Sequence, residues 1–471
     1  MRPDLASADT FKYIFLMKRP CPPAGGFHTQ ADDYWEFHLA NKKQNYKQMK
    51  TEPKYLNVRW VVLLFLFFAT VLLYLDRSAL GIMAPFLQKD IGWSEQQYGN
   101  INTAFMIGYA LCFLIMGAFV DKIGTKAGYT ISVGMWAIAQ ASTVFAKTWI
   151  GFAFARIGLS IGQSGNFPVA NKVLAEWFPK KERALAVGLF NGGANVGTLT
   201  SPLIIPIVVS AFNNDWRAAF IWTLPISAIW ILLWLLFYKK PENHKLVSQS
   251  ELEYINSDSQ HETTGKISWS VLLKTREVWG ICVGKFMTDP IWWFYLFWGA
   301  KFLNGKFGLN LKEIGLPFFT IYLISWMGGI FIGWLSSKFL KMGWSLNKGR
   351  KMGFLVCAIF ALPVMFVPYV DNMWLAVSLI AIAAGGHCGW SANIFSLMSD
   401  IFPRKATASI TGIGGFAGAV GGALIAQLVG GLLQNLGMEG YVIPFLIASI
   451  GYFIALAIMH ILIPKIIPLD L

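Results

Sequence analysis

Charged side chains are scarce in this sequence. Asp, Glu, Lys and Arg make up 14% of its 471 residues, whereas a typical soluble domain carries about 25%. Hydrophobic residues make up 55% and are clustered in long runs. Because so few charges cannot cover a surface that faces water, the composition excludes an ordinary soluble domain. It predicts an integral α-helical membrane protein.

Cysteine is also rare, and its spacing indicates no disulfide framework or zinc site. Cys21 lies near the start of the chain, and the other four cysteines lie within apolar runs, where they are interpreted as small hydrophobic residues: Cys112, Cys282, Cys357 and Cys388.

Motifs of nucleotide-driven pumps and of enzymes are missing. The sequence has no Walker-type loop, which disfavours ATP-driven transport. No apolar run carries a convincing nucleophile–base pair or metal-ligand set. We therefore expect neither an enzyme nor a bound cofactor or metal.

Twelve runs are long enough to cross about 30 Å of hydrocarbon as helices. They are residues 58–86, 97–120, 127–146, 149–172, 184–211, 216–238, 278–303, 314–337, 350–370, 373–399, 406–433 and 440–465. A polar stretch divides them six and six. The predicted organisation is a disordered tail (1–54), a six-helix bundle (55–238), a linker (239–276), a second bundle (277–465) and a short tail (466–471).

The formal net charge of +14 comes from Lys and Arg clusters between the apolar runs, and not from a nucleic-acid-binding surface. The clusters lie in residues 47–59, 122–126, 180–183, 338–351 and 404–405, and in the linker. The opposite side carries little positive charge, except for Lys301, Lys306 and Lys312. The positive-inside rule places both termini and the linker in the cytoplasm.

Two bundles joined by a cytoplasmic linker are typical of secondary transporters, whose substrate site lies between the halves near the membrane midplane. Glycine-rich runs such as "GIGGFAGAVGGALIAQLVGG" (412–431) are predicted to let helices approach closely.

Asp76 and Arg77 interrupt the first run, in "YLDRSALG". A charge inside the membrane costs about 2.5–3.5 kcal/mol on insertion scales and is functional by default. Arg77 could bind a carboxylate as a planar fork, and Asp76 could take a proton or pair with a neighbouring helix. The alternative is a structural ion pair near the membrane edge.

Arg156 and Gln163 are seven residues apart, so they share one face of the fourth span. Gln163 either faces the substrate or makes an ordinary interhelical hydrogen bond.

In the seventh span, Lys285 and Asp289 are four residues apart and could simply neutralise each other. Trp292, Trp293 and Tyr295 follow as aromatic walls with polar tips.

The tenth span carries a dense polar patch: His387, Trp390, Ser391, Asn393 and Ser396. A single histidine there is as consistent with a hydrogen-bonded core residue as with a ligand.

The loop after the second span, "GAFVDKIGTKAG", places Gly117, Asp121, Gly124 and Lys126 at a spacing that resembles the signature loop of the major facilitator superfamily. Its counterpart after the eighth span has Ser337 in place of the acid.

Longer stretches resemble the anion:cation symporter family within that superfamily, and most of all bacterial hexuronate transporters. They include "YLDRSALGIMAP", "SGNFPVANKVLAEWFPKKERALAVGLFNGGANVG", "TDPIWWFYLFW" and "HCGWSANIFSLMSDIFP". The resemblance covers roughly residues 55–465. It implies an all-α membrane protein with twelve transmembrane helices in two six-helix bundles.

The resemblance also implies roles for individual residues. Arg77 would bind the substrate carboxylate, Asp76 would carry the proton, and Tyr109 and Arg156 would contact the substrate. On the same basis Trp390, Ser391 and Asn393, with His387 beside them, would bind the sugar hydroxyls. Gln163 would line the site. Many relatives have a Glu there as a second proton carrier, which this sequence lacks. Asp289 is a weaker candidate for that role.

The sequence thus predicts a monomeric symporter of the bacterial inner membrane that imports hexuronates or related sugar acids with protons. The alternatives are a uniporter or sodium-coupled carrier of another organic anion, and a transporter-like sensor of sugar acids.

Overall fold

The computed structural model describes residues 57–257 and 268–469. The predicted disordered tail, Cys21 and part of the predicted linker lie outside the described residues. Residues Asn57–Leu471 form one compact unit, within which the described elements are helical.

The first half contains α1 (Val58–Ile91), α2 (Glu95–Ile123), α3 (Thr125–Ser142), α4 (Trp149–Ser164), α5 (Asn166–Trp177), α6 (Lys180–Ala211), α7 (Ala218–Ile221) and α8 (Thr223–Phe237). Two short helices follow in the linker, α9 (Gln249–Asn256) and α10 (Trp269–Lys274). The second half contains α11 (Arg276–Phe307), α12 (Gly315–Lys341), α13 (Leu346–Ala361), α14 (Met373–Ile401), α15 (Arg404–Leu436) and α16 (Val442–Leu462).

These helices match the twelve predicted spans within a few residues, so the predicted fold class is confirmed. The fourth span is the largest local departure, because it is divided into α4 and α5 at Gly165. Pro168 lacks an N–H and cannot donate to the Ser164 carbonyl, which interrupts the helical hydrogen-bond pattern there.

Eight segments have the length and apolar composition of membrane spans, and one of them, Ser409–Leu462, includes parts of both α15 and α16. The helices α4 and α11 are not among the eight. They carry Arg156 and the Lys285–Asp289 pair, whereas Asp76 and Arg77 lie within Val58–Ile91, which is one of the eight.

The turn between α1 and α2 shows how local sequence sets the helix ends. Gly92 adopts φ 74°, a left-handed conformation that favours glycine. The Ser94 hydroxyl accepts the Gln97 N–H at 3.2 Å, and the Gln97 side chain accepts the Ser94 N–H at 2.9 Å. This capping box fixes the start of α2.

The two halves are joined at the end of the molecule remote from Asn57. Gln96 donates to Gln427 at 2.7 Å, and Lys301 forms an ion pair with Glu95. Gly99 lies so close to the Ala426 carbonyl that an added Cβ would be 2.8 Å from that oxygen. Backbones of α2 and α15 therefore pack directly at this end, as small residues allow in membrane proteins.

At the opposite end the linker helix α9 is attached to the first half. The Glu251 carboxylate accepts the backbone N–H groups of Val58 and Arg59, each at 3.2 Å, and also pairs with the Arg59 side chain. A carboxylate at a helix start satisfies free N–H groups and interacts favourably with the helix dipole. The linker thereby anchors the start of α1.

Candidate functional site

Asp76 and Arg77 lie on α1 with 1% and 2% of their surfaces exposed. Although adjacent in sequence, they contact different helices. Successive residues of an α-helix are about 100° apart around its axis, so neighbours readily point to different partners. No ion pair joins these two residues in the part of the chain that the structure describes.

Asp76 points toward α8. Its Oδ1 accepts a hydrogen bond from the Thr223 hydroxyl at 2.6 Å, and its backbone carbonyl accepts one from the Gln140 side chain at 3.2 Å. The second carboxyl oxygen, Oδ2, is buried and has no hydrogen-bond partner among the described residues. Asp76 is therefore held through one oxygen while the other can accept a proton.

Arg77 points toward α4, where it meets Gln163. Arg77 Nε donates to Gln163 Oε1 at 3.0 Å, and Gln163 Nε2 donates to the Leu73 carbonyl at 3.1 Å. An amide can accept from a guanidinium and donate to a carbonyl at once. Gln163 thus orients Arg77 without neutralising its charge.

Aromatic rings surround the Arg77 guanidinium. Its central carbon lies 5.0 Å from the centre of the Tyr74 ring, 4.9 Å from Tyr109, 5.4 Å from Phe105 and 5.5 Å from Trp293. Ring faces attract cations without supplying a counter-charge. Since Trp293 belongs to α11, Arg77 lies at the boundary between the two halves.

Arg156 of α4 is the second buried cation, with 4% of its surface exposed. Its Nη2 donates to the Arg77 backbone carbonyl at 3.3 Å, and its guanidinium lies 5.5 Å from the centre of the Phe105 ring. Arg77 Nη2 and Arg156 Nε and Nη1 are buried donors without partners in the described residues. Unpaired buried cationic donors are costly, and they are suited to binding a planar carboxylate.

The second half contributes a different polar cluster. The His387 ring stacks on Trp292 at 5.4 Å between centres, and His387 Nδ1 lies 2.9 Å from the Tyr452 hydroxyl. One turn from Trp292 on α11, Lys285 and Asp289 form an ion pair at 2.7 Å. Here the charges and polar groups satisfy one another.

The other predicted residues of α14 are placed as follows. Trp390 is 1% exposed and packs edge-on against Phe354 and Tyr452 at 4.6 and 5.3 Å. Asn393 is buried and donates to the Gly389 carbonyl on its own helix. Ser391 is partly exposed. No hydrogen bond joins these three residues to Arg77 among the described residues, so their contact with a substrate stays a prediction.

The signature loop lies at the junction of α2 and α3. Gly124 has φ 83°, which favours glycine. Asp121 pairs with Lys172 of α5 at 2.9 Å. The Lys126 carbonyl accepts the Trp234 indole N–H at 3.3 Å. An added Cβ at Gly117 would meet nothing within 4 Å, so close packing does not explain that glycine here.

Sequence reasoning did not identify three supporting residues: Phe105, Gln140 and Thr223. Gln140 carried a usable signal, because it is a polar residue within an apolar run. Thr223 and Phe105 carried none, since such residues are common in membrane helices and only their contacts with Asp76, Arg77 and Arg156 distinguish them.

A cleft of about 290 Å³ lies between α2 and α15, and neither Arg77 nor Arg156 lines it. Its lining is largely apolar and contains no charged residue: Thr103, Ile107, Ala110, Leu111, Phe416, Val420, Ala423, Leu424 and Gln427. Such a lining does not suit an anion, so the buried arginines mark the better candidate site.

Comparison with curated proteins identifies bacterial relatives. The hexuronate transporter of Escherichia coli K12 is 32% identical over 388 residues, covering 81% of this chain and 89% of that protein. The galacturonate transporter of Dickeya chrysanthemi is 36% identical over 289 residues, covering 60% of this chain and 83% of that protein. These similarities confirm the resemblance to hexuronate transporters.

Solved structures share the fold at low sequence identity. A bacterial homologue of the human lysosomal transporter Spinster, in an inward-facing and occupied conformation, superposes with a TM-score of 0.70 at 17% identity, covering 86% of this chain and 96% of that one. A D-xylose-proton symporter gives a TM-score of 0.68 at 15% identity, covering 87% and 98%.

The sequence profile of the Major Facilitator Superfamily matches residues 66–426, which is most of the chain. Its members are transporters and not enzymes, in agreement with the helical fold of the described residues, which matches the twelve predicted spans. The chain therefore belongs to the Major Facilitator Superfamily and is a multi-pass membrane transporter.

Proposed function

We propose that this protein imports hexuronates or closely related sugar acids together with protons, by alternating access. It would act as a monomer in a bacterial inner membrane with both termini in the cytoplasm. One observation carries the proposal: Arg77 and Arg156 are buried where the two halves meet, with free donors and no carboxylate partner among the described residues.

The substrate carboxylate would bind these free donors. Arg77 donates to Gln163 and lies against aromatic rings, so its orientation is fixed before the substrate binds. Binding therefore costs little conformational entropy at this side chain. Tyr109 lies against the guanidinium, where its hydroxyl could contact the same carboxylate. A sugar ring would then extend toward Trp293 and the second half.

Asp76 would carry the proton. It is buried, has one free oxygen and pairs with no cation within the described residues. The Arg156 side chain donates to the backbone carbonyl of Arg77, the residue after Asp76. The proposed proton-binding and anion-binding groups therefore contact adjacent residues of α1. Gln163 cannot carry a proton at physiological pH, which concentrates coupling on Asp76.

One proton and one monoanion carry no net charge together. The predicted transport is therefore driven by the pH difference across the membrane and is insensitive to the membrane potential. The relatives named above, described as transporters of hexuronate and galacturonate, support a sugar acid as the substrate.

The test is uptake of labelled glucuronate into proteoliposomes with an imposed inward proton gradient. Uptake by the wild-type protein should be stimulated by the gradient. Asp76→Asn should lose that stimulation yet still exchange internal for external glucuronate, because exchange needs binding but no net proton movement. Asp400→Asn is the control, since Asp400 is a partly buried acid in the other half, paired with Arg350.

Three results would contradict parts of the proposal. Uptake that does not depend on the proton gradient would indicate a uniporter, and uptake that requires sodium would indicate a sodium-coupled carrier. Gradient stimulation that persists in Asp76→Asn would remove Asp76 as the coupling residue. Binding of glucuronate without any uptake would indicate a sensor.

A further inference from the structure

The Lys285–Asp289 pair of α11 is not accounted for by the carboxylate and proton sites. Its Nζ and Oδ2 atoms are 2.7 Å apart, and the two side chains are 11% and 21% exposed. Both side chains therefore keep some exposed surface although they lie within a membrane helix. Charged residues in such positions face a cavity or a substrate path by default.

The pair lies next to the arginine site. Asp289 and Trp293 are four residues apart, so they share one face of α11 about 6 Å apart along the axis. The Trp293 ring lies against the Arg77 guanidinium, 5.5 Å from its central carbon. A ligand bound to Arg77 thus needs to extend by only about one helical turn past Trp293 to reach Asp289.

Two glycines of α15 make room for the pair. An added Cβ at Gly418 would overlap the Asp289 carboxylate, and one at Gly414 would lie 3.0 Å from the Lys285 side chain. Gly414 and Gly418 are themselves four residues apart, in register with Lys285 and Asp289. This part of the glycine-rich run accommodates charged side chains as well as helix packing.

We propose that Lys285 and Asp289 form a second polar subsite, which binds the hydroxyl-bearing, uncharged end of a sugar acid whose carboxylate is bound at Arg77. The proposal rests on the function proposed above. The ammonium donates to hydroxyl oxygens, and the carboxylate accepts from hydroxyl hydrogens. Trp292 and Trp293 provide apolar surfaces for the carbon skeleton between the two subsites.

This arrangement also selects against a second negative charge. A net-neutral pair can bind hydroxyl groups by exchanging hydrogen bonds with them, whereas a second carboxylate near Lys285 would also approach Asp289. Like charges at close range are unfavourable. We therefore expect the protein to prefer a hexuronate, with one carboxylate, over the corresponding aldarate, which has a carboxylate at each end.

The experiment measures dissociation constants of glucuronate and glucarate for the purified full-length protein by isothermal titration calorimetry. Wild type should bind glucuronate at least about ten-fold more tightly than glucarate. Asp289→Asn removes the repelling charge and frees Lys285, so the preference should fall at least about ten-fold or reverse. Asp400→Asn is the matched control, because Asp400 is also 21% exposed in an ion pair of 2.7 Å, with Arg350.

A preference that is the same in Asp289→Asn and in wild type would overturn the subsite and leave the proposed function intact. A wild-type protein that binds neither sugar acid would overturn both. If Asp289→Asn does not fold, Gly418→Ala tests the same point, because the added methyl group displaces the carboxylate without removing it. It should weaken glucuronate binding by about ten-fold, and unchanged binding would overturn the subsite.

Discussion

The two halves of the protein differ in how their buried charged side chains are paired. In the first half, Arg77 and Arg156 are buried and form no ion pair with a carboxylate among the described residues, and Asp76 accepts a hydrogen bond there through only one carboxyl oxygen. In the second half, Lys285 and Asp289 neutralise each other. The first half therefore has an unmet positive charge, and the second half has none at the corresponding cluster.

From this difference we infer separate tasks for the two halves. A buried cation without a partner is unfavourable until an anion arrives, so the first half gains the most from binding a negatively charged group. A neutral ion pair offers donors and acceptors but no net charge, so we expect the second half to contribute shape and hydrogen bonding. The three predictions below test that division.

Loss of Arg77 should have the largest effect. Arg77→Ala removes the free guanidinium donors and should weaken glucuronate binding at least about 100-fold, with each factor of ten corresponding to about 1.4 kcal/mol. Arg77→Lys keeps the charge but loses the planar fork and should recover only part of the affinity. Calorimetry provides the measurement.

The control for that experiment is Arg217→Ala, which removes an exposed arginine paired with Asp215. It should bind glucuronate as wild type does. An Arg77→Ala protein within about three-fold of wild type would show that Arg77 is not the main anion-binding group.

Giving the first half a carboxylate partner should have an intermediate effect. In Gln163→Glu the new carboxylate would lie near Arg77 Nε, where the amide oxygen is now at 3.0 Å. It would compete with the substrate, so affinity at neutral pH should fall by about ten-fold.

Calorimetric measurement of glucuronate affinity at neutral pH tests this prediction. An affinity within about three-fold of wild type would show that the new carboxylate does not compete with the substrate for Arg77.

Removal of a neutral contact in the second half should have the smallest effect. Tyr452→Phe deletes the hydroxyl that lies 2.9 Å from His387 Nδ1. A typical hydrogen bond contributes about 0.5–1.5 kcal/mol to stability. Thermal unfolding should therefore shift modestly, and glucuronate affinity should stay within about three-fold of wild type. A loss above ten-fold would show that this cluster controls anion binding, against the division proposed here.

Much of the fold was readable from the sequence because membrane helices leave a strong one-dimensional signal. The predicted limits of α1, for example, were 58–86 and its observed limits are 58–91. The division at Gly165 was less accessible. Pro168 disturbs the helix, but whether a helix that contains a proline bends or divides into two depends on hydrogen bonding in three dimensions.

The candidate site was readable only in part. Asp76, Arg77, Arg156 and Gln163 were recognisable because polar residues in apolar runs are costly. The patch on α14 was a weaker indication, since Trp390 packs against Phe354 and Tyr452 within its own half. Residue type alone does not distinguish a side chain that faces a cavity from one that faces a neighbouring helix.

The sequence by itself determined that this chain crosses the membrane many times and carries fixed charges inside it. Tertiary structure decided which charges remain free. Asp76 and Arg77 are adjacent in sequence yet turn to Thr223 and Gln163, 147 and 86 residues away. Rotation around the helix separates neighbours, and packing selects their partners. Within the described residues, that packing leaves Arg77 Nη2 and Arg156 Nε and Nη1 without hydrogen-bond partners near the boundary between the halves.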